Sequence, residues 1–355
     1  MNDRFGEILL NKRIAIIGAG ANGASIGADL TRAGLDVTLV EQWPAHVEAM
    51  KTNGLRIVMP QETIHVPVKA IHLCELATYR EQFDIVLLLV KAYDTAWAVQ
   101  LMLPYLKANG LIVGVQNGMT MDVIARIAGP ERTLGCVIEV ASMLFTPGVV
   151  ERHSPPPRSW FAVGSMSEAT RGREDELTDV LLHSGRVDVV ENIRAAKWMK
   201  LVSNATTLVT TAILGLPMIE ASNIPEMREL MIRSGQEALD ATIGLGNPVL
   251  PIFGLTPDEI AQAQVVSLLL DRLLEGFTMP NTITTVLQDW MKDRHSEVDD
   301  INGLVVSTLA TLGHASPVNS AIVTLAHAIE KGASRTGIHN LDILRALCDS
   351  NQDES

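Results

Sequence analysis

The stretch Arg13 to Glu41, RIAIIGAGANGASIGADLTRAGLDVTLVE, constrains this chain more than any other. It opens on a short apolar run, Ile14 to Ile17, with Lys12 and Arg13 before it and glycine after it. A run of that length reads as a buried parallel strand. Gly18, Gly20 and Gly23 follow at GxGxxG spacing. Ala24 to Ala33 is helix-compatible and is stopped by Gly34, and Val37 to Val40 reads as a second buried strand ending on Glu41. Together these predict the first βαβ unit of a dinucleotide-binding fold, with Gly18 for the tight turn, Gly20 for backbone approach to a pyrophosphate and Gly23 for close helix–strand packing. The loop Gly18, Ala19, Gly20, Ala21, Asn22, Gly23 thus becomes the expected phosphate cradle, with the helix dipole assisting its amides.

Glu41 bears on the choice of cofactor. A carboxylate at the end of the second strand accepts hydrogen bonds from the adenosine ribose hydroxyls and repels a 2′-phosphate. Gln42, Trp43 and Pro44 follow, and no basic residue comes before Lys51. NAD is therefore favoured over NADP. The plainer alternative is a solvated loop acid.

The chain has 355 residues, enough for two domains, and a formal net charge of -13. That charge argues against nucleic acid or an acidic membrane surface as a partner. Cys74, Cys136 and Cys348 are scattered and show neither metal-ligand spacing nor a disulfide framework. The opening MNDRFGEILLNKR carries charges throughout and lacks a signal-peptide core, so a cytoplasmic protein is expected. No uncharged apolar run is long enough to span a bilayer.

Taken in order, residues 45–52 suggest a short helix, Leu55 to Val58 a strand, and Ile64 to Val68 its hairpin partner, with 71–82 ambiguous. Asp84 to Val90 is a buried strand followed at once by Lys91. A helix over 93–107, a strand over Leu111 to Val115 closed by Gln116-Asn117-Gly118, and a helix over 120–128 come next. From Leu134 to Val163 short β-like pieces surround His153-Ser-Pro-Pro-Pro-Arg-Ser159 and read as antiparallel strands added to the sheet. A helix over 167–183 and a strand over Val187 to Val190 complete the first region. Strand signals stop near Asn192, and helical periods follow. Thr256-Pro-Asp-Glu259 is a capping box, and Pro317 opens a helix after Ser316. The expectation is an α/β Rossmann-type domain over 1–192, an all-helical domain over 193–345 and a frayed polar tail over 346–355.

In open α/β sheets ligands bind beyond the carboxyl ends of the strands, and Gly18 to Gly20, Lys91 and Asn117 all sit at such ends. Singly, a lysine after a strand is usually solvated and an Asn-Gly is usually a turn. In AAKWMKLVSNATTLVTTAILG, Lys200 and Asn204 are four apart and share a helix face, with Val202, Leu208 and Val209 making the neighbouring surface apolar. A lysine in an apolar cleft can serve as an acid near neutral pH. The competing readings are a snorkelling lysine, or Lys197 in its place. In TVLQDWMKDRHSEVDDINGLVV, Glu297, Asp299 and Asp300 all offer carboxylates, and the residues alone do not choose among them.

GAGANG, LLLVKAYDT, GVQNGM, the Pro-Gly of TPGVV, KWMKLVSNATT and LQDWMKDRHSEVDDINGLVV stand in an order that resembles the ketopantoate reductase (2-dehydropantoate 2-reductase) family and its NAD-dependent D-2-hydroxyacid dehydrogenase relatives. The resemblance covers about 13 to 335. It implies that Lys200 is the catalytic lysine and Glu297 the active-site glutamate. It also implies that Asn117 and Lys91 touch cofactor and substrate, and that Asn204 binds substrate. A 2-keto acid reductase acting with NAD or NADP is the implied activity. Leu208 stands where ketopantoate enzymes often carry a second asparagine, Thr285 stands where they carry a substrate-binding serine, and EQWPAHVEAM has no NADP-type arginine. The last of these is more similar to the D-2-hydroxyacid dehydrogenase branch, and together the departures speak against NADP and ketopantoate while leaving the reaction type intact. A β-hydroxyacid dehydrogenase and a non-catalytic NAD-sensing protein are the alternatives. A homodimer is expected from the family habit of pairing and from apolar helices such as Val265 to Leu274.

Overall fold

The structure, a computed structural model, describes residues 12–262 and 264–353. The charged start of the chain, residues 1–11, lies outside the described residues. The chain divides into two compact units, Met1–Ile193 and Arg194–Ser355.

Unit 1 alternates strand and helix. Its elements are β1 (Arg13–Ile17), α1 (Ala21–Arg32), β2 (Asp36–Glu41), α2 (Pro44–Asn53), β3 (Leu55–Val58), β4 (Thr63–Val66), β5 (Lys69–His72), β6 (Phe83–Leu88), α3 (Thr95–Met102), β7 (Leu106–Val115), α4 (Met121–Ala128), β8 (Thr133–Glu139), β9 (Ser142–Thr146), β10 (Val149–Arg152), β11 (Trp160–Ser165), α5 (Glu174–Leu181) and β12 (Arg186–Val189). Eight strands form one sheet in the order β12-β11-β8-β7-β6-β1-β2-β5. The sheet is parallel except where β11 pairs antiparallel to β8. Burial on both faces explains the unbroken apolar runs. In β1, Ile14 and Ile16 enter the core shared with α1 and the small sheet described below, while Ala15 and Ile17 enter the opposite core with Ala98, Met102 and Ile124 from α3 and α4.

The helix after Gly20 starts three residues early, at Ala21. The helix expected over 93–107 is α3 alone, because Pro104 has no amide to donate back into the helix and the chain tightens into a 3₁₀ turn at Leu103–Tyr105. The helix expected over 167–183 begins only at Glu174, after Gly172 adopts φ +83°. The ambiguous 71–82 hides the end of β5, which adds to the edge of β2 in parallel. The pieces from 134 to 163 do not all join the sheet as antiparallel strands. β8 follows the crossover helix α4 and so pairs parallel to β7. β9 and β10 form a hairpin closed at Pro147-Gly148 and leave for a second sheet, ordered β4-β3-β10-β9.

Unit 2 is helical: α6 (Ile193–Leu214, whose first residue belongs to unit 1), α7 (Met218–Ser222), α8 (Pro225–Gly244), α9 (Pro257–Ile260), α10 (Val265–Phe277), α11 (Thr285–Trp290), α12 (Leu304–Thr311), α13 (Pro317–Glu330) and α14 (Asn340–Asp353). A π-helical turn, Asp299–Gly303, runs into α12. α6 is buried despite its polar NATTLVTT stretch, because Thr206, Thr207, Thr210 and Thr211 donate to the carbonyls four residues back at 2.6–2.9 Å. Residues 346–353 of the expected frayed tail are instead the continuation of α14, and 354–355 lie outside the described residues. Cys348 and Leu344 are fully buried in the helical core, and helical periodicity continues to Asp353. On α10, Val265, Val266, Leu269, Leu270 and Leu273 are buried within the single chain, so its apolar side does not need a second copy to cover it. No helix of the described residues is long and apolar enough to cross a membrane.

Candidate active site

In unit 1 the candidate residues gather at the carboxyl ends of four neighbouring strands, β2, β1, β6 and β7. Strand order reverses direction between β1 and β6, which in a doubly wound sheet is where ligands bind. Gly18 turns at φ +88°, and a Cβ there would stand 2.7 Å from the Val90 nitrogen. The Gly18 amide donates to the Val40 carbonyl at 2.9 Å, and the Leu89 amide to the Ile17 carbonyl at 2.9 Å, which draws three strand ends together. A Cβ on Gly23 would meet the Gly18 carbonyl at 2.1 Å, so helix and turn touch there. A Cβ on Gly20 would meet nothing within 4 Å. That open side, facing the start of the twelve-residue helix α1, fits a phosphate laid against backbone. The Asn22 side-chain oxygen accepts from the Ser142 hydroxyl on β9, which ties the start of α1 to that strand.

Glu41 is buried, and its Oε1 accepts the amides of Gln42 and Trp43 at 2.9 Å each. The acid is thus oriented by its own loop rather than left in solvent. Lys91 caps the 3₁₀ turn Ala92–Asp94. Gln116, beside Asn117, donates to the Val90 carbonyl at 2.7 Å and to Thr95 Oγ1 at 3.0 Å, tying the end of β7 to the loop that carries Lys91. Its role was not legible in the sequence, since a glutamine before Asn-Gly gives no signal of its direction.

In unit 2, Lys200 and Asn204 are buried on α6, at 8% and 1% exposure, and Lys200 Nζ lies 5.2 Å from the centroid of the Phe253 ring. Burial alone does not separate the two lysines, because Lys197 is equally enclosed. Register does not separate them either, since Lys197, Lys200, Asn204 and Leu208 all fall on one face of α6, and Lys200 is singled out only by its place in the motif KWMKLVSNATT. Thr284 caps α11 and donates to the Leu208 carbonyl at 2.8 Å, so Thr285, the first residue of α11, is held next to that face.

Glu297 is buried just before the π turn. The segment leading to it is fastened by Glu330 of α13, which accepts from Trp290 Nε1 at 3.0 Å and from the amide and hydroxyl of Ser296 at 3.0 and 2.6 Å. Asp299 instead reaches His327 at 2.9 Å, at the surface. Burial, then the Glu297 and Asp299 charges, push the Asp300 carboxyl up to about 6 against the opposing influence of His295. Behind Asn204, the Asn302 amide in the π turn donates to the Ala205 carbonyl at 3.3 Å and to Asn319 Oδ1 at 2.8 Å, while Ser234 donates to the same Ala205 carbonyl at 3.0 Å. Those three polar residues, unnoticed in the sequence, lock α6 to the π turn. π turns of this kind are frequent at functional sites.

The family model described as Ketopantoate reductase PanE/ApbA matches residues 14–166, and that for its C-terminal domain matches 192–330. The chain belongs to the ketopantoate reductase family. As a member it is an NAD(P)-dependent oxidoreductase, a 2-keto acid reductase of that type. A 2-dehydropantoate 2-reductase of Archaeoglobus fulgidus is 28% identical over 327 residues, covering 90% of this chain and 99% of the relative. A PanE/ApbA family ketopantoate reductase from Ralstonia eutropha JMP134 is 27% identical with a TM-score of 0.75, covering 90% of this chain and 99% of that one. A D-mandelate dehydrogenase solved with NADH and anilino(oxo)acetate shares the fold at 21% identity and a TM-score of 0.79, again over 90% and 99%. Membership sets aside the β-hydroxyacid dehydrogenase and the NAD-sensing alternatives.

Proposed function

We propose that the chain reduces a 2-keto acid to the 2-hydroxy acid with Lys200 as the general acid and with a preference for NADH. The observation that supports the first part is the place of Lys200 in the motif KWMKLVSNATT and of Glu297 in LQDWMKDRHSEVDDINGLVV, in family order, with both side chains buried in the helical unit. Bound NAD(P)H supplies the hydride. Lys200 donates a proton to the substrate carbonyl oxygen and offsets the negative charge that develops there. Glu297 orients Lys200 or accepts a hydrogen bond from a substrate hydroxyl. Asn204 and Thr285 hold polar groups of the substrate. Leu208, apolar on the same face, favours a substrate with an apolar side chain over one with a further hydroxyl to satisfy. Gly18 to Gly23 hold the pyrophosphate, Lys91 and Asn117 border it, and Glu41 takes the ribose hydroxyls. Ketopantoate is one candidate within this class, and other 2-keto acids with apolar side chains are the rest.

The test is a panel of 2-keto acids with NADH and NADPH, run on wild type, Lys200→Ala, Lys200→Arg and Lys197→Ala. Loss of a positioned acid lowers kcat by about 10²–10⁴-fold, and the upper end is expected for Lys200→Ala because charge stabilisation goes with it. Lys200→Arg keeps the charge but is a very poor proton donor, so it stays badly impaired. Lys197→Ala keeps most of the activity. A Lys200→Ala enzyme turning over near the wild-type rate while Lys197→Ala is dead assigns the acid to the wrong lysine.

A further inference from the structure

The Pro-Gly turn of TPGVV and the segment EQWPAHVEAM carry motif residues that the chemistry above leaves unused. They meet at His46. This residue lies in the first turn of α2 and is fully buried. The Gly148 amide, between β9 and β10, donates to His46 Nδ1 at 2.9 Å. A backbone N–H can only donate, so Nδ1 is the bare nitrogen and the ring proton sits on Nε2. Nε2–H then donates to the Ala19 carbonyl at 2.9 Å, in the middle of Gly18-Ala19-Gly20. Burial holds the His46 pKa below its ordinary value, against the Ala19 bond, which keeps the ring in this neutral form.

The geometry of one peptide unit makes this consequential. In a trans peptide the carbonyl of Ala19 and the amide of Gly20 lie in one rigid plane and point in opposite directions. Anchoring the carbonyl inward on His46 aims the Gly20 N–H outward, on a residue whose side-chain position is open space. Gly148 is itself fixed: it sits at φ +77°, and its carbonyl accepts the Arg56 amide of β3 at 2.9 Å. The same hairpin reaches the loop a second time, through Ser142 on Asn22. The small second sheet is therefore the buttress of the glycine loop, and His46 is its strut.

We infer that His46 is a positioning residue for the dinucleotide pyrophosphate, acting through the Ala19–Gly20 peptide. The inference rests on the reading of Gly18 to Gly23 as the cofactor loop. Two amide substitutions separate the strut's two ends. His46→Gln places an N–H where Nε2–H stands and can keep the Ala19 bond. His46→Asn places an oxygen where Nδ1 stands and keeps the Gly148 bond alone. Dissociation constants for NADH and NADPH by fluorescence titration, kcat at saturation, and the thermal midpoint without cofactor are measured for wild type and both variants. Losing one aligned hydrogen bond corresponds to an affinity about 10-fold weaker. His46→Asn should show that loss, with kcat at saturating cofactor within about 2-fold, while His46→Gln stays within about 3-fold of wild-type affinity. Equal affinity for His46→Asn and wild type overturns the inference, as does equal loss in both variants. If His46→Asn does not fold, His46→Gln decides alone: a 10-fold weaker affinity there sinks the strut. A wild-type protein that binds neither dinucleotide removes the cofactor-loop reading first, and the strut with it.

Discussion

Arg152 is fully buried at the end of β10 and joins four separate segments, which makes its loss a quantitative test of how unit 1 is held together. Its Nη1 pairs with Asp29 on α1, its Nε donates to the Ser154 carbonyl at 2.8 Å, and its Nη2 donates to the Ser184 carbonyl at 2.8 Å and Ser159 Oγ at 3.0 Å. Arg152→Met keeps much of the apolar stem and removes every donor. Asp29 retains only the Ser184 hydroxyl at 2.7 Å among the bonds described, so a carboxylate is left in the interior without its cation. Breaking a buried pair in this way costs about 3–5 kcal/mol. The stranded Ser154 and Ser184 carbonyls add to this, while the methionine stem recovers part through packing, so about 4 kcal/mol is the expected net. For a unit of this size each kcal/mol moves the midpoint by about 2–4 °C, giving a fall of about 8–16 °C by calorimetry. Asp29→Asn combined with Arg152→Met should recover about 2 kcal/mol relative to Arg152→Met, because no charge is then stranded. A midpoint for Arg152→Met within about 2 °C of wild type, in the transition shifted by added NADH, would falsify the account of the pair as the holding contact.

Glu41→Ala should narrow the NADH-over-NADPH ratio of kcat/KM; a wild-type ratio that already favours NADPH contradicts the role given to this acid. Asp300 is charged less readily folded than unfolded, so the stability it permits is full below pH 3.8 and is lost as pH rises through about 6. Asp300→Asn should therefore be about 1–2 kcal/mol more stable than wild type at pH 8, after allowance for solvent screening, and no different below pH 4; urea unfolding at both pH values checks the crossover. Deleting residues 346–355 removes the buried Cys348 and the partly buried Leu347 and should cost about 2–3 kcal/mol, whereas an unchanged midpoint would show the end of α14 to be dispensable.

Much of the cofactor half was legible in the chain itself, because its signals are local. An apolar run, a glycine spacing and a terminal acid lie within thirty residues of one another, and each is dictated by backbone sterics or by burial on both sheet faces. The capping box at Thr256 and the helix start at Pro317 were legible for the same reason, since the deciding atoms are three or four residues apart. Family order in the motifs then singled out Lys200 and Glu297 where charge and periodicity had left several lysines and carboxylates equivalent. What tertiary structure alone decided are contacts between residues far apart in the chain. Nothing near Val149 says that β10 pairs with β3 rather than with the main sheet, because strand pairing is chosen by which edges packing leaves open. The polar letters of CDSNQDES read as a loose end, yet Cys348 is drawn inward by the helical core that only the folded unit provides. His46, Gln116, Asn302 and Glu330 carry no local mark, because a hydrogen bond that spans a hundred residues, as between His46 and Gly148, exists only once the fold has brought its two ends within 2.9 Å.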